Sequence, residues 1–243
     1  MITTLLAIET SARVGGVALL QGGTLLVERP LDGRTRHASA ALPTIRSLLA
    51  ETGLRLAEVD CVAFSRGPGS FTGVRVSATI ARMLHDHGGA QVVAAPTLAA
   101  IAENFAAELK PEETLAVVLD AKRGQVYSAA YRRGLADLDE IDPPSVRSPG
   151  PWISSLRESA ARVYVAGAGL SIHRIKCSEA GGQALPEEVW QPRAATIARL
   201  GWRLAVAGQF CERDAITPLY LRPPECEEVF DQRQAEARAK RGE

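Results

Sequence analysis

The stretch Cys61-Val-Ala-Phe-Ser-Arg-Gly-Pro-Gly-Ser-Phe-Thr-Gly-Val-Arg75, running on through Val76-Ser-Ala-Thr-Ile-Ala-Arg-Met-Leu-His85, sets the class of the fold. Cys61 to Phe64 is a short apolar run and reads as a buried strand. Thr72 to His85 carries apolar residues at helical spacing. A strand entering a helix through a glycine-rich turn is the building unit of an α/β domain, and it is also where phosphate-cradling loops occur. Neither familiar nucleotide fingerprint fits this one. A Walker A loop begun at Gly67 requires glycine at 72 and lysine at 73, and the chain has Thr72 and Gly73. A dinucleotide loop requires its third glycine at 72 and fails there too. What the residues themselves give is a tight turn at Pro68-Gly69, with Ser70 or Thr72 available to cap a helix. On this reading the turn with its cap and an anion-binding role both stay open.

The helix behind the loop says more. Gly73, Ser77 and Ala81 fall four apart and make a stripe almost without side-chain bulk, and such a ridge lets another helix approach closely. Val74, Val76, Ala78, Ile80 and Leu84 make the helix apolar on more than one side. Part of that stripe could pack internally against the sheet, but a surface helix needs only one apolar stripe, so the second predicts a protein–protein contact through Gly73, Val74, Ser77, Ala81 and Leu84.

Upstream, Leu5–Ile8, Val14–Leu20 and Thr24–Glu28 read as three strands, with a hairpin at Gly22-Gly23. Ala38 to Thr52 has a helical period, with Pro43 in its first turn or kinking it, and Gly53 is placed to end it. Downstream, Gln91–Ala95 is a strand. Pro96 opens a further helix whose stripe runs Leu98, Ile101, Ala102, Phe105 and Leu109. The order β-β-β-α-β-α-β-α mixes an antiparallel edge with parallel crossovers. Lys110-Pro111 marks a boundary, after which the strand pattern restarts at Leu115–Leu119 and Val126–Tyr131. Asp142 to Pro151, with four prolines, predicts an extended connector. Val163–Ala166 is a strand leading into Gly167-Ala-Gly169, and Ala194–Ala207 is a last amphipathic helix. The division expected is 1–109 with about 194–222 as one lobe, 110–193 as a second and smaller lobe, and 223–243 as a charged, solvated tail.

Composition narrows the function. The 243 residues balance 28 Lys and Arg against 28 Asp and Glu. An autonomous nucleic-acid binder usually carries a basic excess, because phosphate neutralisation supplies most of that affinity. Cys61, Cys177, Cys211 and Cys226 are scattered without metal-ligand spacing, and Cys61 reads as a buried reduced thiol. The N-terminus reaches Glu9 after a short apolar run and reads as a strand, and no apolar stretch is long enough to cross a bilayer. A cytoplasmic location is the expectation.

Several blocks together carry a family resemblance. Leu6-Ala-Ile-Glu-Thr-Ser11 with Gly16-Val-Ala-Leu19, Arg36-His37 with Leu42-Pro43, and the loop Arg66-Gly67-Pro68-Gly69-Ser70-Phe71-Thr72-Gly73-Val74-Arg75 resemble TsaB proteins. So do Pro96-Thr97-Leu98, Asp120-Ala-Lys-Arg-Gly-Gln-Val-Tyr127 and Pro218-Leu-Tyr-Leu-Arg222. The resemblance implies an actin-like (hexokinase- and Hsp70-related) α/β ATPase fold of two similar lobes, the second reduced. It implies a non-catalytic scaffold that supports the paralogue TsaD, with the ATPase TsaE, in transferring threonylcarbamoyl to tRNA. The acceptor is the adenosine beside the anticodon in tRNAs reading codons that begin with A. It further implies a homodimer in the absence of TsaD, contact with tRNA only through the complex, no membrane and no cofactor.

The catalytic relative holds its metal with a His-x-x-x-His pair on a first-lobe helix. The matching positions are Thr97 and Ile101, which cannot ligate, and no metal site is expected. His85 and His87 lie two apart and face different ways. The fold also implies carboxylates and hydroxyls at a nucleotide. Glu9, Thr10 and Asp120 are the candidates, with Ala166-Gly167-Ala168-Gly169 as an adenosine loop. Their alternatives are turn formation for Glu9 and Thr10, pairing with Lys122 and Arg123 for Asp120, and a strand-exit turn for the glycines. An actin-fold ATPase or small-molecule kinase is therefore the competing function. A metallopeptidase finds no zinc-ligand set or nucleophile–base pair in the sequence.

Overall fold

The computed structural model describes residues 2–31, 37–134 and 137–222. Arg36 and the expected charged tail at 223–243, with Cys226, lie outside them. The chain builds two five-stranded mixed sheets. The first contains β1 (Thr4–Glu9), β2 (Gly16–Gln21), β3 (Thr24–Pro30), β4 (Cys61–Gly67) and β5 (Gln91–Pro96), in the order β3-β2-β1-β4-β5. The second contains β6 (Glu113–Asp120), β7 (Val126–Arg133), β8 (Leu138–Arg147), β9 (Arg162–Ala166) and β10 (Gly182–Ala184), in the order β10-β9-β6-β7-β8. Read from each first strand, the two orders are the same. In both, the opening three strands are antiparallel and the next two join in parallel.

The local chemistry accounts for these elements. β1 and β4 are central and read as continuous apolar runs, because both faces are covered. Gly22 and Gly23, both at positive φ, close the β2–β3 hairpin. Helices α1 (His37–Thr52) and α2 (Phe71–Gly88) bury Ile45, Leu48, Ala78 and Leu84 with Phe64 and Val62 in one core on this sheet. Helix α6 (Ala194–Val206) returns to the same sheet and packs Ile197 and Ala198 against Ala7, Ala63 and Val93. Helices α4 (Pro149–Glu158) and α5 (Leu170–Glu179) serve the second sheet, where Trp152, Ile153, Leu170 and Cys177 join its core.

Two expectations about elements are corrected. The helix after Pro96, α3, covers only Thr97–Ala102. Tertiary contacts hold the chain past that point in turns. The Asn104 side chain donates to the carbonyls of Val189 (3.2 Å) and Gln191 (2.7 Å), and Arg203 pairs with Glu103. Phe105 and Leu109 still pack on the second core, as the stripe requires. The proline-rich segment is not a connector but the end of strand β8 followed by α4. The strand lies at the sheet edge, and its register slips between Ser128↔Ser145 and Ala130↔Asp142, so Pro143 and Pro144 need donate to no ladder. Pro149 sits at the first position of α4, where a missing N–H costs nothing.

Candidate functional site

The carboxyl ends of β1, β4 and β5 meet below a cleft between the two sheets, where α/β folds place their ligands. The glycine-rich loop lies here and is clamped onto the turn that follows β1. Ser70 N donates to Ser11 O at 2.7 Å, and Thr10 Oγ1 donates to Gly73 O at 2.7 Å. A Cβ at Gly73 would stand 1.8 Å from the Thr10 carbonyl oxygen, and one at Gly69 would stand 2.5 Å from that of Ser11. These glycines therefore serve a backbone-to-backbone contact. Ser70 caps α2 by accepting from Gly73 N at 3.3 Å. The loop is thus a turn with a cap, sealed against its neighbour.

The helix stripe expected at an interface packs inward. Gly73, Val74, Ser77, Ala81 and Leu84 are all buried inside the subunit. Ser77 Oγ donates to the Ser65 carbonyl at 2.9 Å, which ties the small-residue stripe to β4. The exposed side of α2 carries Phe71, Thr72, Arg75, Thr79 and Met83 instead. At its start Arg75 stacks 3.8 Å from the Phe71 ring centre and donates to the Tyr220 hydroxyl at 2.7 Å. The backbone of Leu219 donates to the Arg66 carbonyl, so the segment after Pro218 runs beside the loop.

The nucleotide candidates separate. Glu9 and Thr10 are fully buried and do not line the cleft. Glu9 Oε1 accepts from Ser11 N (2.5 Å) and Ser11 Oγ (2.7 Å), while Oε2 is buried with no hydrogen-bond partner. Burial pushes the Glu9 carboxyl up to about 7 against the pull of the Ser11 bonds. Asp120 does line the cleft. Its oxygens are engaged by Lys122 Nζ (3.1 Å), Lys122 N (3.1 Å) and His173 Nε2 (3.3 Å). Desolvation acts to raise its pKa, but the bonds from Lys122 and His173 outweigh it and hold the carboxyl below the usual range.

The cleft itself encloses about 1010 Å³. Arg13 and His37 line it from the first lobe, Lys122 and Arg123 from the second, with Arg222 from the C-terminal segment. Sequence reasoning saw Lys122 and Arg123 only as partners for Asp120 and did not place Arg13 or Arg222 here. Their convergence depends on the two repeats facing each other, which no local pattern reveals. Thr97 also reaches the cleft with its Oγ1 unpartnered, and Ile101 is sealed in the second core. Among the described residues no group of three or more His, Cys, Asp or Glu is placed to hold a metal. His85 and His87 turn to different carbonyls, those of Ala90 and Met83. Cys61 is buried, its thiol pushed up to about 12 by desolvation. No helix of the described residues is long and apolar enough to cross a membrane.

Comparison with known proteins gives this geometry its context. Residues 29–179 match the family model described as TsaD, tRNA N6-adenosine threonylcarbamoyltransferase. A solved Pseudomonas aeruginosa structure, of an uncharacterized protein with similarity to peptidase YeaZ, superposes with a TM-score of 0.78 at 30% identity, covering 91% of this chain and 100% of that one. The ROK hexokinase of Thermus thermophilus superposes at a TM-score of 0.51 and 12% identity, over 85% of this chain and 100% of that one. That likeness shows the actin-like, hexokinase-related fold alone. The Haemophilus influenzae tRNA threonylcarbamoyladenosine biosynthesis protein TsaB is 35% identical over 228 residues, 90% of this chain and 93% of its own length. With likeness running through both lobes at that level, the chain belongs to the TsaB family.

Proposed function

We propose that the chain is a non-catalytic subunit that supports a TsaD enzyme, together with TsaE, in threonylcarbamoyl transfer to tRNA. The observation that carries this reading is the fate of the positions that match the catalytic relative's histidine pair. Thr97 presents only a hydroxyl, and Ile101 is built into the hydrophobic core, so the metal-binding helix face has become a packing face. The lobe formed by residues 1–109 and about 194–222 is the partner-facing one, and 110–193 is the second lobe. Because the Gly73-Ser77-Ala81 stripe is spent internally, the contact surface shifts to the outer sides of α1 and α2. There Leu42, Phe71 and Met83 are exposed and Val76 is half-buried. The same surface forms a homodimer when TsaD is absent, and tRNA is reached only through the complex.

Reconstitution tests the proposal. The purified chain is combined with its TsaD, TsaE, ATP and the threonylcarbamoyl donor, and modified adenosine is measured in tRNA. Modification that depends on adding the chain is the expected result. Full-rate modification by TsaD and TsaE alone would overturn it.

A further inference from the structure

Helix α5 turns an apolar face to solvent that its own lobe does not use. Leu170, His173 and Cys177 are its buried residues and fix the inward side. On the outer side Ile172 is 65% and Ile175 72% exposed, and among the described large apolar residues only Val206 stands out as far. The two isoleucines are three apart and so adjoin on the helix surface. A cation flanks the pair on each side. Lys176 lies toward the turn between β6 and β7, since a Cβ at Gly124 would stand 3.9 Å from its Nζ. Arg174 leans the other way, with its guanidinium 5.4 Å from the Trp190 ring centre. Neither cation makes an ion pair among the described residues. Glu179, one turn beyond Ile175, bounds the face at its far end.

The chain carries a segment that fits this face and starts beside it. Arg222, the last described residue, donates to Ala121 O and Gln125 Oε1, so it is tied to the same turn that Lys176 adjoins. From there the sequence continues Pro223-Pro-Glu-Cys-Glu-Glu-Val-Phe-Asp231, and Val229 and Phe230 are the only large apolar residues after Arg222. We infer that this segment docks on the outer face of α5, with Phe230 against Ile172 and Ile175, Glu227 and Glu228 toward Lys176, and Asp231 toward Arg174. The order of chemistry matches: acids, an apolar pair and an acid meet a cation, an apolar pair and a cation. The lengths match as well. Five residues from Arg222 to Glu227 reach at most about 17 Å, and three from Glu228 to Asp231 span about 10 Å, the breadth of a helix. Tethering favours this occupant over a separate molecule. A segment anchored one turn away acts at an effective concentration in the millimolar range and is spared the association cost that a free partner meets.

Methyl NMR of the full chain, with isoleucine methyls labelled, tests the contact. Nuclear Overhauser cross-peaks are expected between the Phe230 ring and the δ1 methyls of Ile172 and Ile175, which Ile172→Val and Ile175→Val identify. Phe230→Leu is expected to remove them. Reversing the segment's charges with Glu227→Lys, Glu228→Lys and Asp231→Lys together is expected to remove them too, while the core methyls of Ile153 and Ile197 keep their shifts and so report an intact fold. No cross-peak in the parent chain, or cross-peaks indifferent to the charge reversal, would overturn the proposal. In a mixture of methyl-labelled and ring-labelled chains, cross-peaks arising only between copies would give the face to a second copy and would overturn it as well. None of these readouts involves TsaD, so the scaffold role stands or falls separately.

Discussion

Replacing Glu9 by Gln isolates the carboxyl buried beneath the turn after β1. In the folded chain its carboxyl is driven up from 4.5 to about 7 by burial. The native state therefore keeps a proton that the unfolded chain releases above its ordinary carboxyl pKa. Native stability from this group is present in full at acid pH, drains as pH climbs from the unfolded value to the folded one, and is flat above. At 1.36 kcal/mol per pH unit, the loss between pH 5 and pH 8 comes to roughly 2 to 3 kcal/mol. Glutamine carries no proton to lose, and its oxygen can still accept from Ser11 N and Oγ. Urea unfolding of both proteins across that range measures the difference directly, and every other titrating group cancels in the comparison. The stability of Glu9→Gln relative to the parent should rise by that amount as pH increases. A difference that stays constant with pH, or that changes in the opposite sense, would refute the argument that burial desolvates the Glu9 carboxyl.

Other substitutions probe the remaining contacts. Gly73→Ala drives a methyl group to within 1.8 Å of the Thr10 carbonyl, so it should cost about 4 kcal/mol or abolish folding, read as the calorimetric melting temperature. Arg222→Ala removes donors to Ala121 O and Gln125 Oε1 and should lower stability by about 1–2 kcal/mol, measured by denaturant titration. Met83→Asp, at an exposed position of α2, should abolish self-association in analytical ultracentrifugation while shifting stability by no more than about 0.5 kcal/mol. Unchanged association in Met83→Asp and in Leu42→Asp would remove the outer helix faces from the interface.

Much of the architecture was legible because it is periodic. β1, β4 and α2 announce themselves by apolar runs or helical spacing, and the hairpin by Gly22-Gly23. The second half read less well. Strand β8 carries two prolines and is tolerated only because it is an edge with a register slip, and neither property is local. The spacing of Gly73, Ser77 and Ala81 marks a ridge without bulk, but sequence gives no means of knowing what approaches it. Small residues admit a partner helix and a neighbouring strand equally well, and here the neighbours are Thr10 and Ser65. The cationic wall was invisible for a different reason. Arg13, Lys122 and Arg222 are far apart in the chain and meet only when the lobes face each other.

The equal strand order of the two sheets makes their differences informative. In each repeat the first and second strands are joined by a turn at the cleft: residues 10–15 in one, 121–125 in the other. The first turn is roofed by the glycine loop, which consumes Thr10 Oγ1 and the Ser11 carbonyl and leaves Glu9 without solvent. The second has no such roof among the described residues. Its Lys122 side chain is 82% exposed, and the C-terminal segment braces it from the side through Arg222. One topology therefore yields a sealed turn and an open one, and the difference follows from a single loop. Glycine at 69 and 73 removes the side chains that would have held the loop away. The loop stands where phosphate-binding loops stand, yet its Ser70 N–H is spent on the Ser11 carbonyl and its Gly73 N–H on the Ser70 cap. That asymmetry accords with the scaffold role proposed for the first lobe, because the polar groups of its first turn are used in holding the lobe together.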